Sequence, residues 1–386
     1  MLGEETPFLL KMAEQGITGI LEPPLAYCLH PTWFAGLHPK SSDRFLLHIY
    51  SPQTSPYKRL RLISFLERNR FTRLSSGFAR HHLLRNPYGV APCIPNYMLK
   101  YFDVAEKLPP WHPQYLPKAT TLFDILRQKD LKWLFIGSPG SNQQTFSILN
   151  KFQKMISKKY SFIWLHFAEL DWACHKYGPR SAQSKGKLRE IDEAIEKIHA
   201  YLNSTYSTVN TLVFGDHGHV EVNQTLDLRS LLKQTSSRMG EDYIYFLDST
   251  IARFWFKNER AQDEIAHVLS TVDRGKILSK QDLKKYGCNF QNPRHGQLIW
   301  VADEGYIILP NFWQGTTIVR GMHGYLPEVQ SNHARFVLSG SQVPKPVKLE
   351  KKYKLVDIFP TLLDLMHLPT PETNEGSSIL HNAGRA

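Results

Sequence analysis

Phe162-Ile-Trp-Leu-His-Phe167, followed shortly by Asp171-Trp-Ala-Cys-His175, reads as an apolar strand that runs straight into a carboxylate and an imidazole. Three more short apolar runs have the same look: Leu131 to Gly137, Thr211 to Phe214 and Arg335 to Leu338. Each is short and continuous, as a strand covered on both faces should be. Between Phe167 and Thr211, residues 184 to 203 place Leu188, Ile191, Ala194, Ile195, Ile198 and Leu202 at helical spacing, with Lys, Arg and Glu on the other side. Strand and helix in alternation predict an α/β fold built on a mostly parallel sheet with helices on both faces. In such sheets ligands collect beyond the carboxyl ends of the strands, so the residues just after each run carry the functional weight.

Two stretches interrupt the alternation. Residues 45 to 125 are rich in Pro, Tyr and Arg, and residues 236 to 318 read as strands and hairpins, with Ile251 to Phe256 and Leu298 to Val301 flanking a helix near 260 to 270. No Gly/Ser linker sets either apart, so both are expected as cap insertions on one domain over residues 1–386. The chain's 42% apolar content is enough for a sizeable core and excludes a disordered protein.

The formal charge of +12 favours anionic partners. Much of it lies in residues 58–85, where Lys58, Arg59, Arg61, Arg68, Arg70, Arg73, Arg80 and Arg85 face only Glu67. That segment suits a solvated basic face or peripheral contact with acidic lipid; no nucleic-acid-binding signature accompanies it. Cys28, Cys93, Cys174 and Cys288 lie far apart without a Cys-x-x-Cys pair, which argues against a zinc-thiolate site or a disulfide framework. No apolar run approaches the roughly 18 residues of a membrane span. The opening residues lack a signal-peptide pattern, so a cytoplasmic location is expected.

The chemistry gathers at three places. Asp171 and His175, four apart, share a face if their segment is helical, and such a pair suits a divalent ion. Asp216-His217-Gly218 follows the run Thr211 to Phe214, with a glycine that allows a sharp turn. His323 stands between Gly321 and Gly324, which permit close approach to a neighbour. Singly, each reads equally well as a capping Asp or a structural His. Together, two Asp/His pairs at strand ends point to metal.

These residues carry a family resemblance. Asp171 to Pro179 resembles the D-x-x-G-H-x-x-G-P segment of the type I phosphodiesterase/nucleotide pyrophosphatase family of the alkaline phosphatase superfamily. Asp216-His217-Gly218 is similar to that family's D-H-G, and Gly321 to Tyr325 to its G-x-H-G-Y. Thr6-Pro7-Phe-Leu9 resembles its T-P-x-L helix start, and Val356 to Leu363 the closing helix of the superfamily. The resemblance implies an alkaline phosphatase-like fold and hydrolysis of an anionic phosphodiester or phosphomonoester through two divalent ions, with zinc the usual metal. It implies that Asp171, His175 and His323 hold one ion, and Asp216 and His217 the other. A sulfatase, a phosphonate hydrolase, a phosphotransferase or a non-catalytic metal-binding homologue would show the same residues.

Two features depart from the family pattern. The strand and Asp that precede the T-P-x-L helix do not appear ahead of Thr6, and the position of the family's nucleophilic Thr or Ser is taken by Ala26. The nearest candidate nucleophiles are Cys28, expected near a helix start that would favour its thiolate, and then Thr32.

Overall fold

The computed structural model describes residues 3–58, 91–137, 144–157, 159–343 and 347–383. The basic segment therefore falls outside the described residues from Arg59 to Arg85. Strand β1 (Ile17–Glu22) alternates buried and half-buried side chains and occupies the interior of the main sheet. It pairs in parallel with β16 (Val347–Lys354) and antiparallel with β15 (Ala334–Gly340), which in turn pairs antiparallel with β6 (Asn210–Phe214). Three of the four strands thus run one way and β15 runs against them. The sheet is α/β in character but mixed, because an apolar run encodes burial and not direction. A separate parallel pair, β4 (Trp133–Ile136) with β5 (Phe162–Leu165), supplies the run that precedes Asp171.

Helices cover this layer as the apolar spacing predicts. The Ala182–Thr205 helix starts at Ser181, whose hydroxyl accepts from the Ser184 N–H at 3.1 Å, and buries Ile191, Ala194, Ile195 and Ile198. The same helix carries Asp192, 1% exposed, whose two carboxylate oxygens accept from the N–H groups of Phe8 and Leu9 at 2.9 Å each. An acidic side chain from one helix therefore caps the start of another, Pro7–Glu14, whose own Thr6 makes no side-chain cap. At the other end of the chain the superfamily-like segment forms the Ile358–Leu365 helix, packed into the main core through Ile358, Phe359 and Leu363.

The two interrupting stretches build one structure together. Strands β9 (Tyr243–Leu247), β10 (Ile251–Phe256), β11 (Gly275–Ile277) and β12 (Leu298–Ala302) form an antiparallel sheet in the order β11-β12-β10-β9. Alternation splits its side chains between two cores. Ile251, Ile299 and Val301 join the main core, while Ala252, Leu298 and Trp300 join a second one with Tyr57, Ala91, Ile94 and Phe102. Within the earlier stretch β2 (His48–Tyr50) pairs with β3 (Phe102–Val104). A buried ion pair, Arg253 to Asp248 at 3.2 Å, lies in this second layer, where Arg253 also donates to the His48 carbonyl at 2.7 Å.

Two small ladders complete the framework. Strand β8 (Gln224–Leu226) pairs in parallel with β13 (Tyr306–Ile308), and β7 (Val220–Glu221) pairs antiparallel with β14 (Gly321–Met322). No helix among the described residues is long and apolar enough to cross a membrane.

Candidate metal centre

Three chain segments meet at the carboxyl ends of β5 and β6. Asp171 lies in the first turn of the Glu169–Tyr177 helix and His175 one turn later on the same face. His217 and His219 follow β6. His323 follows β14. In the β7–β14 ladder Met322 faces Val220, so the next residues outward are His323 and His219, each one step beyond the end of its strand. The His217 and His219 rings stand with their centroids 5.2 Å apart. Two glycines let the segments close up. A Cβ on Gly218 would lie 2.3 Å from the Ser331 carbonyl oxygen, and one on Gly321 would lie 2.5 Å from that of Cys174. The helix is tied to the ladder in turn, because Arg320 N–H donates to the His175 carbonyl at 2.8 Å and His175 Nδ1 sits 2.8 Å from the Gly321 carbonyl.

The result is one carboxylate oxygen ringed by imidazoles. Asp171 Oδ1 stands 3.0 Å from His219 Nε2, 3.3 Å from His175 Nε2 and 3.7 Å from His323 Nε2. Ligand atoms of Asp171, His217, His219 and His323 all lie within 4.8 Å of one another. The His217 and His323 rings stack with centroids 3.8 Å apart. A tetrahedral ion with bonds near 2.0–2.1 Å spaces its ligands about 3.3 Å apart, which the inner distances bracket.

Polar satisfaction supports the same reading. Asp171 Oδ1 and His219 Nε2 are both buried, and neither makes a hydrogen bond of acceptable geometry, although they stand 3.0 Å apart. Atoms aimed at a common point rather than at each other fit a shared cation. The Asp171 side chain as a whole remains 44% exposed.

Charge states agree with a ligand set. Burial raises the Asp171 carboxyl, but the contacts of His175 and His219 outweigh it and hold it well below the usual carboxylate range. Burial pushes His219 down to about 4 despite Asp171, and burial with the neighbouring His217 holds His323 well below its ordinary value. Both imidazoles are therefore neutral near pH 7 with a lone pair to offer. His175 is raised, because its contact with Asp171 outweighs its burial. Its Nδ1 contact with the Gly321 carbonyl fixes the ring in the manner of a histidine whose other nitrogen faces a metal.

Asp171, His217 and His323, each expected from the sequence as a ligand, meet here, and His175 borders them. Asp216 stands at the margin: its Oδ1 accepts from the His217 N–H at 3.1 Å, and its Oδ2 lies 3.6 Å from His217 Nε2. It lies outside the four-residue cluster. His219 was not anticipated; the signal was the His-x-His spacing of 217 and 219.

The candidate nucleophiles lie elsewhere. Cys28 precedes the His30–Ala35 helix but is packed against Ile49 and Ala105, and burial together with the Glu106 carboxylate pushes its thiol well up. A helix start does not yield a thiolate in that setting. Thr32 is 2% exposed, and its hydroxyl donates to the Leu37 carbonyl at 3.2 Å. The residue of this segment that does touch the site is Tyr27, with its ring 5.4 Å from that of His323. Asp43 ties the later insertion to the main layer through His295 Nε2 at 2.6 Å and Arg294 Nε at 3.1 Å.

A profile of the type I phosphodiesterase / nucleotide pyrophosphatase family matches residues 66–326. Mouse ectonucleotide pyrophosphatase/phosphodiesterase family member 7 is 23% identical over 229 residues, covering 58% of this chain and 51% of that protein. Human bis(5'-adenosyl)-triphosphatase ENPP4 is 26% identical over 222 residues, covering 56% and 46%. The chain thus spans about half the length of the curated relatives it matches. The solved structure of human ectonucleotide pyrophosphatase/phosphodiesterase 5 shares the fold, with a TM-score of 0.69 at 17% identity, over 96% of this chain and 92% of that one. With over half of its length under the family profile, the chain belongs to the type I phosphodiesterase/nucleotide pyrophosphatase family of the alkaline phosphatase superfamily.

Proposed function

We propose that this chain hydrolyses phosphoesters, with a divalent ion held by Asp171, His217, His219 and His323. The observation that carries the reading is the convergence of four ligand atoms from three separate segments within 4.8 Å. One carboxylate with neutral imidazoles suits zinc. A bound divalent ion neutralises phosphoryl oxygens and makes water a better nucleophile at neutral pH. The protein's share is to hold the donors deprotonated and fixed. Asp171 stays ionised among the histidines, and His175, anchored on Gly321, orients it.

The sequence resemblance suggests two ions. The four-residue cluster accounts for one among the described residues, and Asp216 beside His217 is the place for a second. The net charge of +12 favours an anionic substrate. The likeness to the mouse and human relatives, a nucleotide pyrophosphatase/phosphodiesterase and a bis(5'-adenosyl)-triphosphatase, favours phosphodiesters and phosphoanhydrides over sulfate esters.

The test is chelator-dialysed protein assayed on bis(p-nitrophenyl) phosphate, p-nitrophenyl phosphate and p-nitrocatechol sulfate, with and without added zinc. Turnover of the first is expected to vanish on dialysis, return with zinc, and be lost in Asp171→Asn. Zinc-independent turnover or an active Asp171→Asn would overturn the metal reading. Stoichiometric zinc without turnover of any ester would place the chain among non-catalytic homologues.

A further inference from the structure

The helix that carries Asp171 and His175 leaves a second face bare. Its buried residues are Ala173 and Cys174, while Asp171 and His175 turn toward the histidine cluster. Trp172 and Lys176 each stand one residue further on, so their stripe adjoins the cluster side of the helix. Trp172 is 52% exposed, the most exposed tryptophan among the described residues, and its ring meets that of half-exposed Tyr177 at 6.0 Å. Lys176 Nζ sits over both rings, 4.8 and 4.9 Å from their centroids. The patch continues at both ends. The Thr145 N–H donates to the Glu169 carboxylate at 2.7 Å, and Glu169 lies one turn before Trp172, which brings Phe146, 70% exposed, to the start of the stripe. At the other end the Arg320 N–H holds the His175 carbonyl, and a Cβ on Gly178 would lie 3.6 Å from that of Arg320, so exposed Arg320 flanks Tyr177.

We infer that this face is a peripheral contact for an anionic phospholipid surface, with Phe146, Trp172 and Tyr177 at the headgroup level and Lys176 and Arg320 against lipid phosphates. Chemistry selects the partner first. Trp and Tyr pair an apolar body with a polar tip and settle at membrane interfaces, and long basic side chains beside them reach the headgroups. Lys176 stands over rings rather than over a carboxylate, so its charge is free to meet an anion. Size then decides against a folded partner. At 150–250 Å² per aromatic side chain the exposed parts of the three rings offer roughly 300–400 Å², whereas a stable protein interface covers about 800 Å² on each partner. A lipid surface needs no matching shape, and each cation held close to it strengthens binding about fivefold. Because the stripe adjoins Asp171 on one helix, docking here turns the exposed side of the histidine cluster toward the headgroup layer. Docking does not depend on turnover, so binding alone is the readout.

Flotation of the full chain with vesicles of phosphatidylcholine alone, and of an equal mixture with phosphatidylserine, tests this. The mixed vesicles are expected to bind at least about tenfold more tightly, and lipid brominated in its acyl chains should quench a tryptophan emission that Trp172→Phe lacks. Trp172→Ser with Tyr177→Ser, and separately Lys176→Glu, each with an unchanged circular dichroism spectrum, should bind the mixed vesicles at least about tenfold more weakly. Four results overturn the inference: no binding of the parent to mixed vesicles, equal binding to both vesicle types, folded variants that bind within about threefold of the parent, or concentration-dependent dimerisation in sedimentation that the Trp172→Ser, Tyr177→Ser variant abolishes, which assigns the face to a second copy of the chain.

Discussion

Replacing His219 with alanine separates the proposed four-residue centre from the ligand set that family resemblance alone suggests, because His219 belongs to the cluster and not to the expected set. Its Nε2 is the nitrogen closest to Asp171 Oδ1, at 3.0 Å, and the side chain is 9% exposed. Four-ligand zinc sites bind with roughly 10–16 kcal/mol at neutral pH, so one ligand carries about 3 kcal/mol on average. Losing it should weaken zinc binding roughly 100- to 1,000-fold. Because burial holds His219 down to about 4, no proton competes for it near pH 7, and the loss should be flat from about pH 6 to 8. The assay is competition against a chromophoric chelator, with circular dichroism confirming the fold. Asp216→Ala, outside the cluster, serves as the comparison and should lose less than about tenfold. If folded His219→Ala holds zinc within about threefold of the parent while Asp216→Ala does not, the four-residue centre is wrong and the resemblance-based pairing is right.

Asp192→Ala strips the cap from the Pro7–Glu14 helix and leaves the Phe8 and Leu9 N–H groups unpaired, which should cost roughly 2 kcal/mol in urea unfolding; a change below about 0.5 kcal/mol refutes the capping role. His48, buried against Phe246, is pushed down to about 3 by burial and by the Arg253 guanidinium. Its folded pKa lies below the unfolded value near 6.5, so the unfolded chain binds the extra proton and stability falls as pH drops from about 6.5 towards 3, by up to about 1.4 kcal/mol per unit. His48→Gln should flatten the fall in Tm over that window, and an unchanged slope would refute the assignment. Cys28→Ala and Thr32→Val should keep kcat within about threefold, since neither side chain borders the histidine centre; a loss of turnover with metal retained in either variant restores covalent attack from that segment.

What the sequence made legible is what local pattern encodes. The runs at 133–136, 162–165 and 210–214 and the 182–205 helix stand where apolar spacing put them. Strand β1 alternates too weakly to stand out, and β16 carries Lys348, Lys351, Lys352 and Lys354, so its place beside β1 comes from pairing rather than composition. The direction of β15 is set by its partners on both sides. At the site, the Asp/His pairs were visible because each is contiguous or one helical turn apart. His219 was not, because its role depends on a ladder of two residues per strand, too short to leave a periodic trace. The burial of Cys28 depends on Ile49, Ala105 and Glu106, which nothing near position 28 announces.

The insertions also contribute more than cover. Thr250, at the turn between β9 and β10, is fully buried; its hydroxyl donates to the Gly324 carbonyl at 2.8 Å and accepts from the Tyr27 hydroxyl at 2.8 Å. Gly324 follows His323 directly and is held at φ +81, with no room for a Cβ against the Tyr27 ring. The imidazole of His323 is thus positioned from two sides: by the β7–β14 ladder before it and by the insertion's Thr250 after it. A histidine in a flexible loop would have to be ordered at the moment of binding, with an entropic cost of order 1 kcal/mol for each residue fixed. Here that ordering is completed during folding, by hydrogen bonds that lie outside the short motifs carrying the family resemblance. The insertion sheet is therefore part of the framework that holds the histidine cluster.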